Sequence, residues 1–235
     1  MKTGYSIKKM LFVFLGISVV SFTMIFMLLQ EKQELKERNK FLAAKNQSLI
    51  VKSEYLGADP LLNSTTHSYS QWSNQNNTAA RFVKDSNGKF KKSWALYLVK
   101  EAKLYDVNPH IAYELLKVET GGTFDPTLVG PKTKYGRAYG MAQFMKNTAP
   151  WIADMAGVPY SHEMLFDPYY SIHLSFVYLD FLHEQYGNWD KALTAYNRGM
   201  GGLQSFIEEN GHAESSYSAE ILTNANAYPE VTLAE

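Results

Sequence analysis

Residues 10–29, MLFVFLGISVVSFTMIFMLL, contain not one charge in twenty positions, and this run constrains the chain before any other feature does. At 1.5 Å per residue, a helix of roughly twenty residues reaches across the ~30 Å hydrocarbon core of a bilayer. A cleaved secretory leader would carry a shorter apolar core followed by a small-x-small site. Here Leu29 is followed by Gln30-Glu31-Lys32-Gln33-Glu34, so an uncleaved transmembrane anchor over 10–29 is expected. Lys2, Lys8 and Lys9 precede the run. The positive-inside rule then makes 1–9 a cytoplasmic tail and places the remainder outside the cytoplasmic membrane as a single-pass protein.

Leu28, Leu35, Leu42 and Leu49 recur every seven residues in a Glu-, Lys- and Gln-rich stretch, which predicts a stalk helix over 30–56. If these leucines hold one core position of a heptad, Ile25, Lys32, Asn39 and Asn46 hold the other. Two readings stay open: a short coiled coil that pairs the chain weakly as a homodimer, and a single solvated helix. Residues 57–92 are poor in aliphatic side chains and dense in Ser, Thr, Asn and Gln, a composition expected to form a polar linker. The folded domain is then expected to span 93–235, and a chain starting near Ser86 to keep all of it.

Charge is segregated. Residues 1–92 carry 14 Lys/Arg against 6 Asp/Glu, and residues 93–235 carry 9 against 17. An acidic domain is not drawn by its field to a polyanion, which argues against nucleic acid as partner. With no cysteine, neither disulfides nor thiolate metal sites are available. His110, His162, His173, His183 and His212 show no metal-ligand spacing, and no phosphate-binding glycine loop, nucleophile elbow or calcium loop occurs. No cofactor or metal is expected.

From Ser93 onward the periodicity is helical. Trp94–Tyr105 repeats apolar residues at helix spacing, and Asn108-Pro109 offers a cap with proline at the first helical position, opening a helix that runs to Glu119 and stops at Gly121-Gly122. Asp167-Pro168 repeats the start signal for a long apolar helix ending at Gly187, and Asn188 caps the next. Leu128–Tyr139 is expected to hold a short hairpin or an irregular loop. The expected fold class is mainly α.

Three short motifs fall in order through this region: Glu119-Thr120-Gly121, Gly140-Met141-Ala142-Gln143 and Ala195-Tyr196-Asn197-Arg198-Gly199, with Phe124-Asp125-Pro126 and Phe166-Asp167-Pro168 between them. Each alone is weak, since a Glu at a helix end is ordinarily a solvated residue. Together, from about Ser93 to Leu222, they resemble the soluble lytic transglycosylase family of the lysozyme-like superfamily. The resemblance implies a lysozyme-like helical catalytic domain that cleaves the β-1,4 bond from N-acetylmuramic acid to N-acetylglucosamine in peptidoglycan, closing a 1,6-anhydro ring. It implies Glu119 as the acid and then the base. It also implies that Thr120, Gly140, Met141, Gln143, Tyr196 and Asn197 line the substrate cleft, with Tyr217 a further cleft tyrosine. Thr120 stands where the family commonly has Ser, and Met141 and Ala142 replace Leu and Met.

Breaking a glycosidic bond requires protonation of the leaving oxygen, ordinarily by a carboxylic acid of raised pKa. Glu119 lies in the last turn of its expected helix, where the negative dipole end disfavours the carboxylate, and burial against neighbours such as Tyr139, Phe144 or Tyr196 would act in the same direction. Between Glu119 and Asp154 the only other acid is Asp125, best read as a turn or cap residue. That scarcity suits a single-acid mechanism. Lys132, Lys134, Arg137 and Lys146 gather around the expected cleft loop, either as a solvated loop or as an attraction for stem-peptide carboxylates. The rival readings are a goose-type lysozyme-like muramidase, which is a hydrolase, and a non-catalytic peptidoglycan-binding scaffold. The anchor fits local wall opening for growth, secretion or conjugation machinery, without choosing among them.

Overall fold

The computed structural model describes residues 66–228, together with six helical positions at 24, 25, 28, 29, 32 and 36. The anchor, the stalk and its pairing lie, apart from these positions, outside the described residues. No helix among the described residues is long and apolar enough to cross a membrane.

The elements run α1 (Thr66–Asp85), α2 (Lys92–Leu104), α3 (Pro109–Glu119), β1 (Ala138–Tyr139), β2 (Phe144–Met145), α4 (Ala149–Met155), a 3-10 turn (His162–Phe166), α5 (Pro168–Tyr186), α6 (Trp189–Arg198), α7 (Met200–Asn210) and α8 (Ser216–Asn226). The fold is mainly α. β1 and β2 pair antiparallel as a minimal hairpin, with Val129 bridging to Tyr139.

Helix starts follow from side-chain caps. Asn108 Oδ1 accepts from the His110 N–H at 2.9 Å, ahead of Pro109 at the first position of α3. Asp167 Oδ1 accepts from the N–H groups of Tyr169 and Tyr170 to start α5, and Asn188 Oδ1 accepts from Lys191 to start α6. Each acceptor satisfies a donor that the first turn leaves unpaired. α5 ends at Gly187, which takes the left-handed conformation and returns its N–H to the His183 carbonyl. Buried on nearly all sides through Ile172, Leu174, Phe176, Leu179 and Leu182, α5 is the central helix of the body, as a helix apolar all round must be.

The polar linker expected over 57–92 is corrected by α1. Twenty of its residues are helical, and Ala79, Phe82 and, beyond the helix end, Phe90 are fully buried. Phe82 stacks on Tyr113 of α3 with ring centroids 4.2 Å apart, while Phe90 packs against Tyr113 and Phe124. The Tyr113 hydroxyl donates to Asp85 Oδ2 at 2.8 Å, and Lys117 Nζ reaches the same oxygen at 2.8 Å. Average composition misleads here because Ala79 and Phe82 on one face of the helix, with Phe90 just beyond its end, suffice when α3 supplies surface for them to cover. Packing then overrides the weak helix propensity of the Asn- and Ser-rich sequence. The folded body accordingly starts well before Ser93.

Candidate active site

Glu119 closes α3, and two tyrosines from the far end of the chain reach its neighbourhood. The Tyr217 hydroxyl donates to Glu119 Oε1 at 2.6 Å. Tyr196 donates its hydroxyl to the Ala142 carbonyl at 3.1 Å, which fixes its ring against Phe144 and Tyr178. Burial pushes the Glu119 carboxyl up to about 7, opposed by the Tyr217 hydrogen bond, which favours the ionised form. Both tyrosines are held well above their ordinary range by burial and by the nearby Glu119 charge. A carboxyl in this state is a proton donor near neutral pH.

The site opens into a cleft of about 800 Å³ whose lining includes Glu119, Gln143, Phe144, Tyr196 and Asn197. The hairpin forms one wall and α6 with α7 the other. Asn197 is exposed, with its side chain available to a ligand.

Four of the expected cleft residues are not among those that line it: Tyr217, which meets Glu119 itself, and Thr120, Met141 and Gly140. The buried Thr120 hydroxyl donates to the Leu116 carbonyl at 2.7 Å and accepts from the Phe124 N–H at 3.1 Å. It braces the turn after α3, in which Phe124 has a left-handed φ of 52°, so its hydroxyl is spent on the backbone that follows Glu119. Met141 is fully buried and belongs to the core. Gly140 has φ +75°, and a Cβ there would land on the Leu165 carbonyl oxygen. Its role is close backbone approach, which only glycine permits.

Gln143 lines the cleft and also holds the hairpin. Its Nε2 donates to the Gly140 carbonyl at 2.7 Å and to the Leu128 carbonyl at 3.3 Å. Tyr139 packs edge-on against His162 rather than serving as a described partner of Glu119. Asp125 spends its carboxylate on the N–H and hydroxyl of Thr127, both at 2.8 Å, the turn role expected of it.

The residues that hold Tyr217 in place escaped the sequence reading. Ser215 and Ser218 form a reciprocal capping box at the start of α8. The Thr194 and Ser215 hydroxyls meet at 2.8 Å, and Ser218 donates to Asp190 at 2.9 Å. Thr194 lies two residues before Tyr196, so one buried polar network sets both tyrosines. The Ser-x-x-Ser spacing was the available signal, a weak variant of the usual capping box. Glu114 was missed as well. Buried within α3, it accepts from Tyr228 at 2.7 Å, from Lys117 at 3.2 Å and from Asn224 of α8 at 3.3 Å. It thereby ties the helix bearing Glu119 to the helix bearing Tyr217.

Residues 96–218 match the family model described as Transglycosylase SLT domain. The chain belongs to this family. The SLT domain match runs from within α2 to the start of α8 and includes Glu119, the hairpin and both tyrosines. A solved structure of lytic transglycosylase Slt from Pseudomonas aeruginosa, an inactive mutant, is similar with a TM-score of 0.47 and 19% sequence identity, over 80% of this chain and 36% of that one. The chain thus spans little more than a third of the length of that relative. No curated protein matches.

Proposed function

We propose that this SLT-domain protein is a peptidoglycan lytic transglycosylase that cleaves the N-acetylmuramic acid to N-acetylglucosamine β-1,4 bond and releases 1,6-anhydro-muramyl ends. The observation that carries this reading is Glu119, a carboxyl raised to about 7, bonded to Tyr217 and lining an open cleft with Gln143, Tyr196 and Asn197.

In this mechanism the Glu119 carboxyl gives its proton to the departing glycosidic oxygen. The N-acetyl group of the muramic residue shares the positive charge that develops at C1. Glu119, now a carboxylate, takes the proton of the muramyl C6 hydroxyl as that oxygen attacks C1, so the proton count closes without water. Tyr217 acts on the carboxylate stage, where its hydrogen bond is strongest.

The lysozyme-like domain is proposed to work at the outer face of the cytoplasmic membrane, held by the uncharged run at 10–29 behind three lysines. A stalk at 30–56 would set its reach, with weak pairing through its leucines and service to growth, secretion or conjugation machinery as consequences of that placement.

A muramidase reading is favoured by one observation: Glu209, near the end of α7, also lines the cleft. Mass spectrometry of digested walls separates the two. Anhydro ends, lighter by one water, support the transglycosylase, and reducing ends alone would assign a hydrolase.

A further inference from the structure

Arg198 ends α6 at the cleft, and its side chain is built into position. A Cβ on residue 202 would sit 2.8 Å from the Arg198 Cβ, so Gly202 supplies the space through which the arginine passes. The guanidinium then lies over the Phe206 ring, 4.7 Å from its centroid. Phe206 and Gly202 are both on α7, and all three residues line the cleft. Across the lining, Lys134 lies over the exposed Tyr135 ring at 4.8 Å.

Among the described residues, neither Arg198 nor Lys134 forms an ion pair with a carboxylate. The other loop cations, Lys132, Arg137 and Lys146, are not among the residues that line the cleft; Arg137 donates to the Gly130 carbonyl at 2.9 Å, and Lys146 lies over Tyr139. A guanidinium placed over an aromatic ring can still offer N–H groups to a planar, bidentate acceptor, and less rotamer freedom is left to lose on binding. These two cations stand in a folded body whose formal charge is otherwise negative, so their effect on a ligand is local to the cleft.

We propose that Arg198 and Lys134 form a carboxylate subsite, Arg198 being the principal ligand, so that the cleft selects muramoyl glycan bearing free carboxylates. The inference rests on the proposed function for the identity of the glycan. The carboxylate has two sources: the lactyl group of bare muramic acid, and the peptide attached there.

The test is calorimetric titration of the full chain carrying Glu119→Gln, which prevents turnover. The ligands are the N-acetylglucosaminyl-N-acetylmuramic acid disaccharide, its lactyl amide, the disaccharide-peptide with free carboxylates, and the same peptide amidated. The free-carboxylate form is expected to bind about tenfold more tightly than its amide, and the preference to shrink with added salt. Adding Arg198→Gln should abolish most of it. Adding Gly202→Ala, which keeps every charge but displaces the arginine, should do the same.

A preference confined to the peptide pair places the carboxylate on the peptide, and one between the bare disaccharide and its amide places it on the sugar; either upholds the subsite. Equal affinity for charged and amidated ligands, or an undiminished preference after Arg198→Gln, overturns it. Wall digestion by the unsubstituted chain is read in parallel. Cleavage without charge preference removes the subsite and leaves the proposed function, whereas preference without cleavage does the reverse.

Discussion

Tyr217 and Glu119 stand 98 residues apart in sequence, yet the phenol hydroxyl donates to the carboxylate at 2.6 Å. This bond opposes the burial that raises the Glu119 pKa. Tyr217→Phe removes the donor and leaves the ring, so Glu119 should hold its proton to higher pH. The basic limb of the kcat/KM profile, where activity falls as the acid ionises, is expected to move upward by about one pH unit, from a hydrogen bond to charge of ~1.5 kcal/mol. A pH–rate profile of the two proteins measures this, and an unmoved limb would show that Tyr217 does not act on Glu119.

The same burial has a consequence for stability. A carboxyl whose folded pKa is raised from 4.5 to about 7 costs the folded state nothing below the lower value, and progressively more as pH rises between the two, because the unfolded chain ionises first. The cost levels off above the folded value, at on the order of 3 kcal/mol. Glu119→Gln carries no such cost. Its melting temperature should therefore match the parent near pH 4 and exceed it near pH 8; a constant difference across that range would mean that Glu119 is not held protonated by its surroundings.

Where the folded body begins is open to a direct test. Phe82 fills a fully buried place against Tyr113, and Phe82→Ala should cost about 3–5 kcal/mol, read by denaturant unfolding. A chain starting at Ser86 loses Phe82, Ala79 and Asp85 together and should be markedly less stable than one starting at Thr66. Equal stability of these two chains would return α1 to the status of a tether.

The helices were legible wherever a cap and a stop stood in the sequence. Asn108, Asp167, Asn188 and Gly187 act locally, through side-chain caps or a left-handed backbone, and need no knowledge of the rest of the chain. Motif spacing likewise located Glu119, Gln143, Tyr196 and Asn197, which line one cleft. What it did not separate was lining from support: Thr120, Gly140 and Met141 occur in the same motifs because the turn and hairpin beneath the cleft require them. α1 was illegible for another reason. The value of Phe82 depends on Tyr113, thirty-one residues on, and no local pattern reports a partner at that distance. The Thr194 and Ser215 contact that seats both tyrosines is equally non-local.

Glu119 as the acid is the claim on which the rest depends. Glu119→Gln preserves size and polarity and removes the transferable proton, so wall cleavage should fall by about 10²–10⁴-fold or more, while the variant stays folded and still binds muramoyl glycan. Release of anhydro-muramyl ends from purified walls, quantified by mass spectrometry for parent and variant at pH 6, is the measurement. The expected result is loss of those products with binding retained. Release by the variant at a rate within a few-fold of the parent would contradict it and place the acid on another residue.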